Sequence, residues 1–294
     1  MTALISFLLV AALATLLVTG CLRLGLGLLV SRPRPAAAGP GGSLELEAGS
    51  AAAGRWLDRV DATGMPVAGV LLLAGLGLRT VAVGHAPWSS LHEVSVAFAT
   101  MVVAAHLVLA RRYPVGGLTP IVALLAAGLV GFALSLDDRI DPLVPALQQP
   151  LLLTVHVGSA IAAYALSAIA FAAAVAELLQ RAADDRLGGL PAAAVARSIG
   201  HRAVLLAFPI LTLAIVLGSV WANLAWRAYW SNDPKELAAA ATWLVFGAYL
   251  HVAGRRDRWA RLAPWLIVAG FAGVLFTYIG AGIFLVGEHS YAVP

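Results

Sequence analysis

Long apolar runs alternate along nearly the whole chain with short connections that carry charge, proline or glycine. Eight of these runs come close to the roughly 20 residues that a helix needs to cross a hydrocarbon core of about 30 Å. Charged residues, Pro and Gly at their boundaries are typical of helix ends. The predicted spans are 3–22, 65–83, 91–110, 118–136, 151–179, 203–225, 236–253 and 264–286. The pattern predicts an all-α, polytopic membrane bundle of about eight transmembrane helices.

Composition agrees with a membrane protein. Hydrophobic residues make up 61% of the chain and charged residues 12%, whereas about a quarter of the residues of a soluble domain are charged. The net charge of +4 does not indicate a nucleic-acid partner, because the basic residues fall in short clusters between the apolar runs, as topology requires. Cys21 is the only cysteine, which excludes an internal disulfide and a CxxC pair. The expected surroundings are a lipid bilayer.

The positions of the basic residues predict an orientation. Fourteen lie in connections on one side of the predicted bundle and three on the other. The first set is Arg32, Arg34, Arg55, Arg59, Arg111, Arg112, Arg181, Arg186, Arg197, Arg202, Arg255, Arg256, Arg258 and Arg261; the second is Arg139, Arg227 and Lys235. Since Lys and Arg favour the cytoplasmic side, we expect both termini to lie outside.

The connections divide the chain into two parts. Residues 1–64 are expected to form a first transmembrane helix and a cytoplasmic linker, and residues 65–294 the main bundle. The linker contains Pro33, Pro35 and Pro40 and a Gly-, Ala- and Ser-rich stretch to about residue 54, which has too little apolar surface to order itself. Residues 181–202 are expected to form a short amphipathic helix on the membrane surface. Val18–Cys21 is similar to a lipoprotein cleavage box, but no Lys or Arg precedes the run, which favours a transmembrane helix.

Aromatic residues are concentrated between the sixth and seventh spans, at Trp221, Trp226, Tyr229 and Trp230. Trp and Tyr collect at membrane interfaces as an anchoring belt, yet a belt needs only one or two rings at each helix end. Offset stacking of aromatic faces adds about 0.5–1.5 kcal/mol per pair. The density of rings therefore predicts a platform for a flat aromatic ligand on the outer side.

Charged residues beside this platform suggest an anion site. Asp233 as N-cap, Pro234 at the first helical position and Glu236 three residues after the cap predict a helix start. The same amino terminus, with Lys235 beside it, can receive an anionic group such as a propionate. Arg79 lies about a turn from the outer end of the second span, where it either snorkels to the surface or pairs with a ligand carboxylate.

Histidines fall at two depths. Four lie at outer helix ends, and two lie inside inward-running helices about 15 residues from their outer ends, or roughly 22 Å deep. A single intramembrane histidine is either hydrogen-bonded to a neighbouring helix or part of a functional site, and neutral imidazole is a common axial ligand of haem iron. The outer four are His85, His92, His156 and His289, and the deep pair is His106 and His251.

Several of these motifs resemble one known family. The chain is similar to the CcsA/ResC group of cytochrome c biogenesis proteins (System II), which belong to the haem-handling superfamily named for its tryptophan-rich WWD domain. The resemblance covers most of the chain from about residue 65. It rests on Trp221-Ala-Asn-x-Ala-Trp226, Tyr229-Trp230, Asp233-Pro-Lys-Glu236, Tyr249-Leu-His251, Gly84–Glu93, Pro150–His156 with Tyr164, and Gly287–Tyr291.

The resemblance implies a set of haem ligands. His156 and His289 would be axial ligands to haem b, carried as a substrate and presented at the outer surface. His251 matches the family's transmembrane histidine, part of an inner haem site whose partner histidine is usually attributed to a CcsB/ResB-type subunit. Because His106 is predicted at a similar depth, it is a candidate second inner ligand within this chain.

The implied function is haem delivery in a bacterial cytoplasmic membrane, with the WWD region facing outside. Haem would be attached covalently to the CxxCH segment of an apocytochrome c, which would make the protein a subunit of a cytochrome c synthase. A non-catalytic haem-binding scaffold or regulator, similar to HemX-like relatives, is the alternative. A third possibility, an ion or solute carrier using the buried histidines, lacks the helices broken by paired Gly and Pro that transporter sites often use.

Three positions depart from the family pattern. Arg227 and Ala228 stand where a glycine usually follows Trp226, and His92 stands where a tyrosine is usual. Asn232 replaces the tryptophan before Asp233, which removes one stacking face from the expected platform.

Overall fold

The computed structural model describes residues 1–29, 43–140, 143, 147, 148, 150–255, 259–285 and 287–289. Its helices are α1 (Thr2–Leu29), α2 (Ser43–Val83), α3 (Leu91–Ala110), α4 (Thr119–Leu134), α5 (Pro150–Ala182), α6 (Ala193–Trp226), α7 (Pro234–Val252), α8 (Trp259–Leu275) and α9 (Ala281–Phe284). A 3₁₀ turn at Gly116–Leu118 precedes α4, and a π-helical turn at Phe276–Gly280 joins α8 to α9.

The predicted fold class is confirmed. In the described part of the chain seven helices are long and apolar enough to cross a membrane, namely Thr2–Leu28, Gly54–Val83, Leu91–Ala110, Gly116–Leu134, Leu151–Ala182, Ala193–Trp226 and Trp259–Gly280. The eighth long helix, α7, has 19 residues. The protein is therefore an all-helical, multi-pass membrane protein, and the orientation of its termini stays a prediction.

Two helices begin earlier than expected. α2 starts at Ser43, so the described end of the predicted linker is helical, because its alanine and glutamate residues favour helix. The predicted surface helix over 181–202 is wrong, since α5 runs to Ala182 and α6 begins at Ala193. Predicted features that lie outside the described residues are the proline-containing segment 30–42 with Arg32 and Arg34, Arg256 and Arg258, and Tyr291.

Buried polar residues explain why α5 and α6 extend into the segment that was predicted to lie on the membrane surface. The Glu177 side chain is 2% exposed and pairs with Arg181 and with Arg197, whose Nε lies 2.8 Å from Glu177 Oε1. The buried Gln180 side chain donates to the Leu187 carbonyl at 2.9 Å, which fixes the turn between the helices. The basic residues expected on a surface helix therefore stabilise the α5–α6 hairpin instead.

Helix α5 occupies the middle of the bundle and packs along α6, α3 and α8. Small side chains allow helices to approach closely in a membrane, and α5 buries a row of alanines. Helix α1 packs against α2 and α4, and α7 packs against α8 and α6. The buried alanines of α5 include Ala163, Ala165, Ala168, Ala172, Ala173 and Ala176.

Arg79 joins three outer segments. Its Nε donates to Glu93 Oε1 at 2.9 Å, with the two side chains 4% and 1% exposed. Its Nη1 and Nη2 donate to the carbonyls of Asp138 and Arg139 at 2.7 and 3.1 Å. The snorkelling interpretation is therefore wrong, because the guanidinium is held inside the protein by a carboxylate and two carbonyls. It ties the end of α2 to the start of α3 and to the connection after α4.

Candidate functional site

A cavity of about 210 Å³ opens among α3, α5, α6, the start of α7 and the π-helical turn. Its walls are mostly apolar, with side chains such as Leu91, Ile161 and Leu211. Six of the predicted ligand-binding residues line it: His156, Trp221, Tyr229, Trp230, Lys235 and His289. Folding therefore assembles the predicted aromatic platform and two outer histidines, from distant parts of the chain, around one space.

His156 is fixed by α6. Its Nδ1 lies 2.9 Å from the Ala214 carbonyl, and since a carbonyl can only accept, Nδ1 carries the proton. The neutral ring then has its lone pair on Nε2, the form in which imidazole binds a metal. A Cβ on Gly218 would lie 2.6 Å from His156 Cε1, so only glycine leaves room for this ring. The imidazole is nearly parallel to the Trp221 ring, at 11° and 6.1 Å between centroids.

His289 is fixed by the start of α7. Its Nδ1 donates to Asp233 Oδ1 at 2.8 Å, and its backbone N–H lies 3.4 Å from Asp233 Oδ2. A Cβ on Gly287 would collide with the same carboxylate, so glycine is needed for the tail to approach it. The Asp233 carboxylate thus holds both the backbone and the ring of His289.

Asp233 is also the N-cap that the sequence predicts. It accepts from the Lys235 N–H at 2.8 Å, and Glu236 Oε2 accepts from the Asp233 N–H at 3.1 Å, which completes a capping box. Burial opposes ionisation of Asp233, but the hydrogen bonds that it accepts from His289 and from the Lys235 N–H outweigh it, and the pKa of Asp233 falls to about 2. The Asp233 carboxylate already occupies this helix start, which was predicted to bind an anion. The other predicted anion-binding group beside it, Lys235, lines the cavity.

The four predicted aromatic residues divide into a buried pair and an exposed pair. Trp221 is 2% exposed and meets Trp226 edge-on at 4.8 Å. Trp226 also lies edge-on to His289 at 5.1 Å, and its buried Nε1–H has no acceptor among the described residues. Tyr229 and Trp230 are exposed and line the cavity. In the buried pair Trp221 packs near both histidines and Trp226 near His289, and the exposed pair forms a rim.

The departures from the family pattern have local explanations. Arg227 is the C-cap of α6 with φ of 64°, the left-handed region that glycine adopts most easily, so the glycine that the resemblance leads us to expect after Trp226 would suit this backbone. Asn232 has φ of 59°, which asparagine tolerates better than most residues. Its Oδ1 accepts from Trp230 Nε1 at 2.8 Å, so it orients a rim tryptophan.

Other candidate residues lie away from this cavity. Arg79 is enclosed by its own partners, as described above. His251 is exposed on α7, with its Nε2 3.2 Å from Arg255 Nη2. His106 is 2% exposed on α3, where its Nε2 lies 3.2 Å from Thr119 Oγ1. Since α3 packs on α4 and α5 while α7 packs on α8 and α6, the structure does not bring His106 and His251 together.

The remaining outer histidines serve local structure. His92 is buried and its Nδ1 lies 2.9 Å from the Ala133 carbonyl, which joins α3 to α4. The Nδ1 of His85 lies 2.8 Å from the carbonyl of the next residue. Neither histidine lines the cavity.

Sequence reasoning missed Ala214 and Gly218, the residues that orient His156. Ala214, Gly218 and Trp221 follow one another at helical spacing on the same face of α6, and that spacing, with a glycine one turn before a tryptophan, was the available signal. Tyr164 and Tyr278, in the deeper wall of the cavity, were likewise not assigned to it.

Comparisons with known proteins identify the family. Residues 88–289 match the family model described as "Cytochrome C assembly protein", a range that contains every cavity residue. The chain is 31% identical over 290 residues to the protein named "Cytochrome c biogenesis protein CcsA" of Gloeothece citriformis, with 80% of this chain and 88% of that protein covered. The proteins of the same name from Synechococcus elongatus and Microcystis aeruginosa are 32% and 34% identical at the same coverage. The chain therefore belongs to the cytochrome c assembly protein family and, within it, to the CcsA type.

Proposed function

We propose that this protein handles haem during cytochrome c biogenesis and presents it at the cavity for attachment to an apocytochrome c. The observation that carries the proposal is the meeting of His156 and His289 at one buried tryptophan. Their ring centroids lie 6.1 and 5.7 Å from that of Trp221.

The residues present fit a haem as the transported substrate. The hydrogen bond from each Nδ1 places the lone pair of the neutral ring on Nε2, as axial ligation of iron requires. The surrounding wall is apolar and aromatic, which suits a porphyrin face. Lys235 supplies a positive charge at the same cavity, which suits a propionate.

The size of the cavity supports presentation rather than storage. Pockets that enclose a small ligand usually measure roughly 300–1,000 Å³, whereas this cavity measures about 210 Å³ and is rimmed by the exposed Tyr229 and Trp230. A porphyrin held there would keep an edge outside. In the proposed reaction each cysteine S–H of a CxxCH segment adds across a vinyl group at that edge, which forms a thioether with no other product. The porphyrin carries the reactive group, and the protein contributes position.

An inner site would lie at His251, where we place the contact with a CcsB/ResB-type partner. The imidazole is exposed on α7. Leu237 and Leu244, on the same helix, are also exposed on the surface of the bundle, at 49% and 62%. A polar ring on such a surface is costly in hydrocarbon and marks a functional position. A partner that covers this part of α7 would supply the second ligand, since His106 lies on another part of the bundle. Haem would pass from this site to the outer cavity.

A scaffold or regulator without synthase activity is the second candidate function. The observation that favours it is Asn232, which replaces a tryptophan of the family motif and is exposed rather than stacked in the cavity. Haem would bind as proposed, but the rim would lack one ring for guiding the vinyl edge.

The visible spectrum of the purified protein tests haem binding. We expect a six-coordinate, bis-histidine spectrum in wild type, loss of that spectrum in His156→Ala and His289→Ala, and its retention in the control His85→Ala, whose side chain lies outside the cavity. A wild-type protein without bound haem, or one whose spectrum survives loss of both cavity histidines, would contradict the proposal. Replacing His251 tests the inner site through the total haem content.

A reporter with a CxxCH segment, expressed with this chain and its partner, separates the two functions. Covalent haem on the reporter is the result expected of a synthase subunit. Bound haem with an unmodified reporter would favour the scaffold.

A further inference from the structure

The two cavity histidines are held by unlike partners. The Nδ1 of His289 donates to the Asp233 carboxylate at 2.8 Å, a side chain that is 1% exposed. The Nδ1 of His156 donates to the neutral carbonyl of Ala214 at 2.9 Å. The distances are nearly equal, so the difference between the two hydrogen bonds is one of charge.

We propose that Asp233 is a positioning residue that makes His289 the stronger, retained haem ligand, and that His156 is the ligand that the histidine of the incoming CxxCH segment displaces. This inference rests on the proposed function and adds to it the order in which ligands leave the iron.

The physical reason lies in donor strength. A hydrogen bond from Nδ1–H to a carboxylate shifts electron density toward Nε2 and raises the basicity of the ligand, and such outer partners commonly change metal affinity 10- to 100-fold. A neutral carbonyl accepts a weaker bond than a charged group. The iron bond to His289 is therefore expected to be the stronger of the two.

The mounting of His289 also favours its retention. Although it lies in the tail beyond α9, its backbone N–H and ring are both directed at Asp233, and Gly287 packs against the same carboxylate. Trp221 and Trp226 contact its ring from two directions. The tail is thus anchored to the first turn of α7.

The exchange is balanced in bonds and charge. The bond between iron and Nε2 of His156 breaks, and a bond between iron and a ring nitrogen of the substrate histidine forms. The iron stays six-coordinate, no electron is transferred, and Nδ1 of His156 keeps its proton and its hydrogen bond to the Ala214 carbonyl. Product release then requires only that the remaining bond to His289 break.

Asp233→Asn removes the charge, and the only acceptor that it takes away is the oxygen that receives the long 3.4 Å contact from the His289 N–H. Asparagine caps helices about as well as aspartate, so the first turn of α7 is retained, and its amide oxygen still accepts from His289 Nδ1. Ser231→Ala is the matched control, because it removes only the 3.3 Å hydrogen bond from Ser231 Oγ to Glu236 in the same connection.

The test measures transfer of haem to apomyoglobin from His156→Ala and His289→Ala, each loaded in imidazole so that the missing ligand is replaced. His156→Ala retains His289, the ligand that Asp233 supports. We expect its rate of haem release to be at least about 10-fold lower than that of His289→Ala. Adding Asp233→Asn to His156→Ala should remove this difference, and adding Ser231→Ala should not. Equal release rates, or slower release from His289→Ala, would overturn the proposal.

A second measurement covers the case in which neither histidine variant retains haem. The reduction potential of the wild-type haem should rise in Asp233→Asn, since a less basic ligand stabilises Fe(III) less, and should stay unchanged in Ser231→Ala. An unchanged potential in Asp233→Asn would also overturn the proposal. These outcomes are distinct from failure of the proposed function, which would appear as a wild-type protein without a bis-histidine spectrum.

Discussion

Gly218 provides a sharp test of how the outer site is built. Its Cα lies against the imidazole of His156, so a methyl group at this position would meet Cε1 at 2.6 Å, Nδ1 at 3.1 Å and Nε2 at 3.3 Å. The substitution Gly218→Ala is otherwise mild, because alanine favours a helix interior more than glycine by about 1 kcal/mol. The expected damage therefore falls on His156 and not on the fold.

The magnitude follows from the contact distances. To move from 2.6 Å to the 3.4 Å where ordinary contact begins, the ring must retreat by about 0.8 Å. Because Ala214 lies one turn before Gly218 on α6, this movement lengthens the 2.9 Å hydrogen bond to its carbonyl past the normal limit of about 3.2 Å. Loss of such an outer partner commonly lowers metal affinity roughly 10- to 100-fold, equivalent to about 1.4–2.8 kcal/mol.

Haem titration of purified Gly218→Ala, followed by its visible spectrum, measures this effect. Gly158→Ala is the matched control, since Gly158 lies two residues from His156 in a place where an added Cβ meets nothing within 4 Å. We expect weakened, five-coordinate binding in the first variant and wild-type binding in the second. In a His156→Ala background Gly218→Ala should have no further effect. Equal haem affinity of the two glycine variants would show that Gly218 does not position His156.

Three further predictions concern stability, followed as the midpoint of thermal unfolding in detergent. Arg227→Gly should stabilise the protein by about 1 kcal/mol, because φ of 64° is unfavourable for a residue with a Cβ; a lowered midpoint would contradict this. Arg79→Ala should cost about 3–5 kcal/mol of stability, since it leaves a buried carboxylate unpaired. Arg139→Ala, the control, should cost about 1 kcal/mol or less, because the Arg139 side chain is 81% exposed. Equal costs would show that the buried ion pair of Arg79 does not stabilise the fold. Asn232→Ala should destabilise more than Asn232→Gly, because only alanine adds backbone strain at φ of 59°; the reverse order would rule strain out.

Much of the architecture was predictable because it depends on local properties. Apolar runs of membrane-crossing length predict helices without knowledge of their neighbours, and the Asp233–Glu236 capping box is present as predicted. The errors occurred where polar residues pair with a buried charged residue, because a hydropathy pattern does not show which charged residues are buried. Arg181 and Arg197 were assigned to a surface helix, yet they pair with the buried Glu177.

The candidate site shows the same division. Its aromatic rings and its two histidines were identified from residue type and resemblance, and the cavity brings them together. Arg79 was included for its charge and position, but its burial with Glu93 removes it from the cavity. His106 and His251 were linked by similar depth, but depth alone says nothing about which helices are neighbours.

Sequence alone was enough to predict a multi-pass helical membrane protein with an aromatic region that carries histidines, because hydropathy, capping and aromatic density are properties of contiguous residues. The tertiary structure alone decided that Asp233 holds His289, that the Ala214 carbonyl and Gly218 hold His156, and that both rings meet at Trp221. Those contacts depend on how α5, α6, α7 and the tail pack. A helix specifies which of its own residues share a face, but the partner that this face meets is set by the packing of the whole bundle.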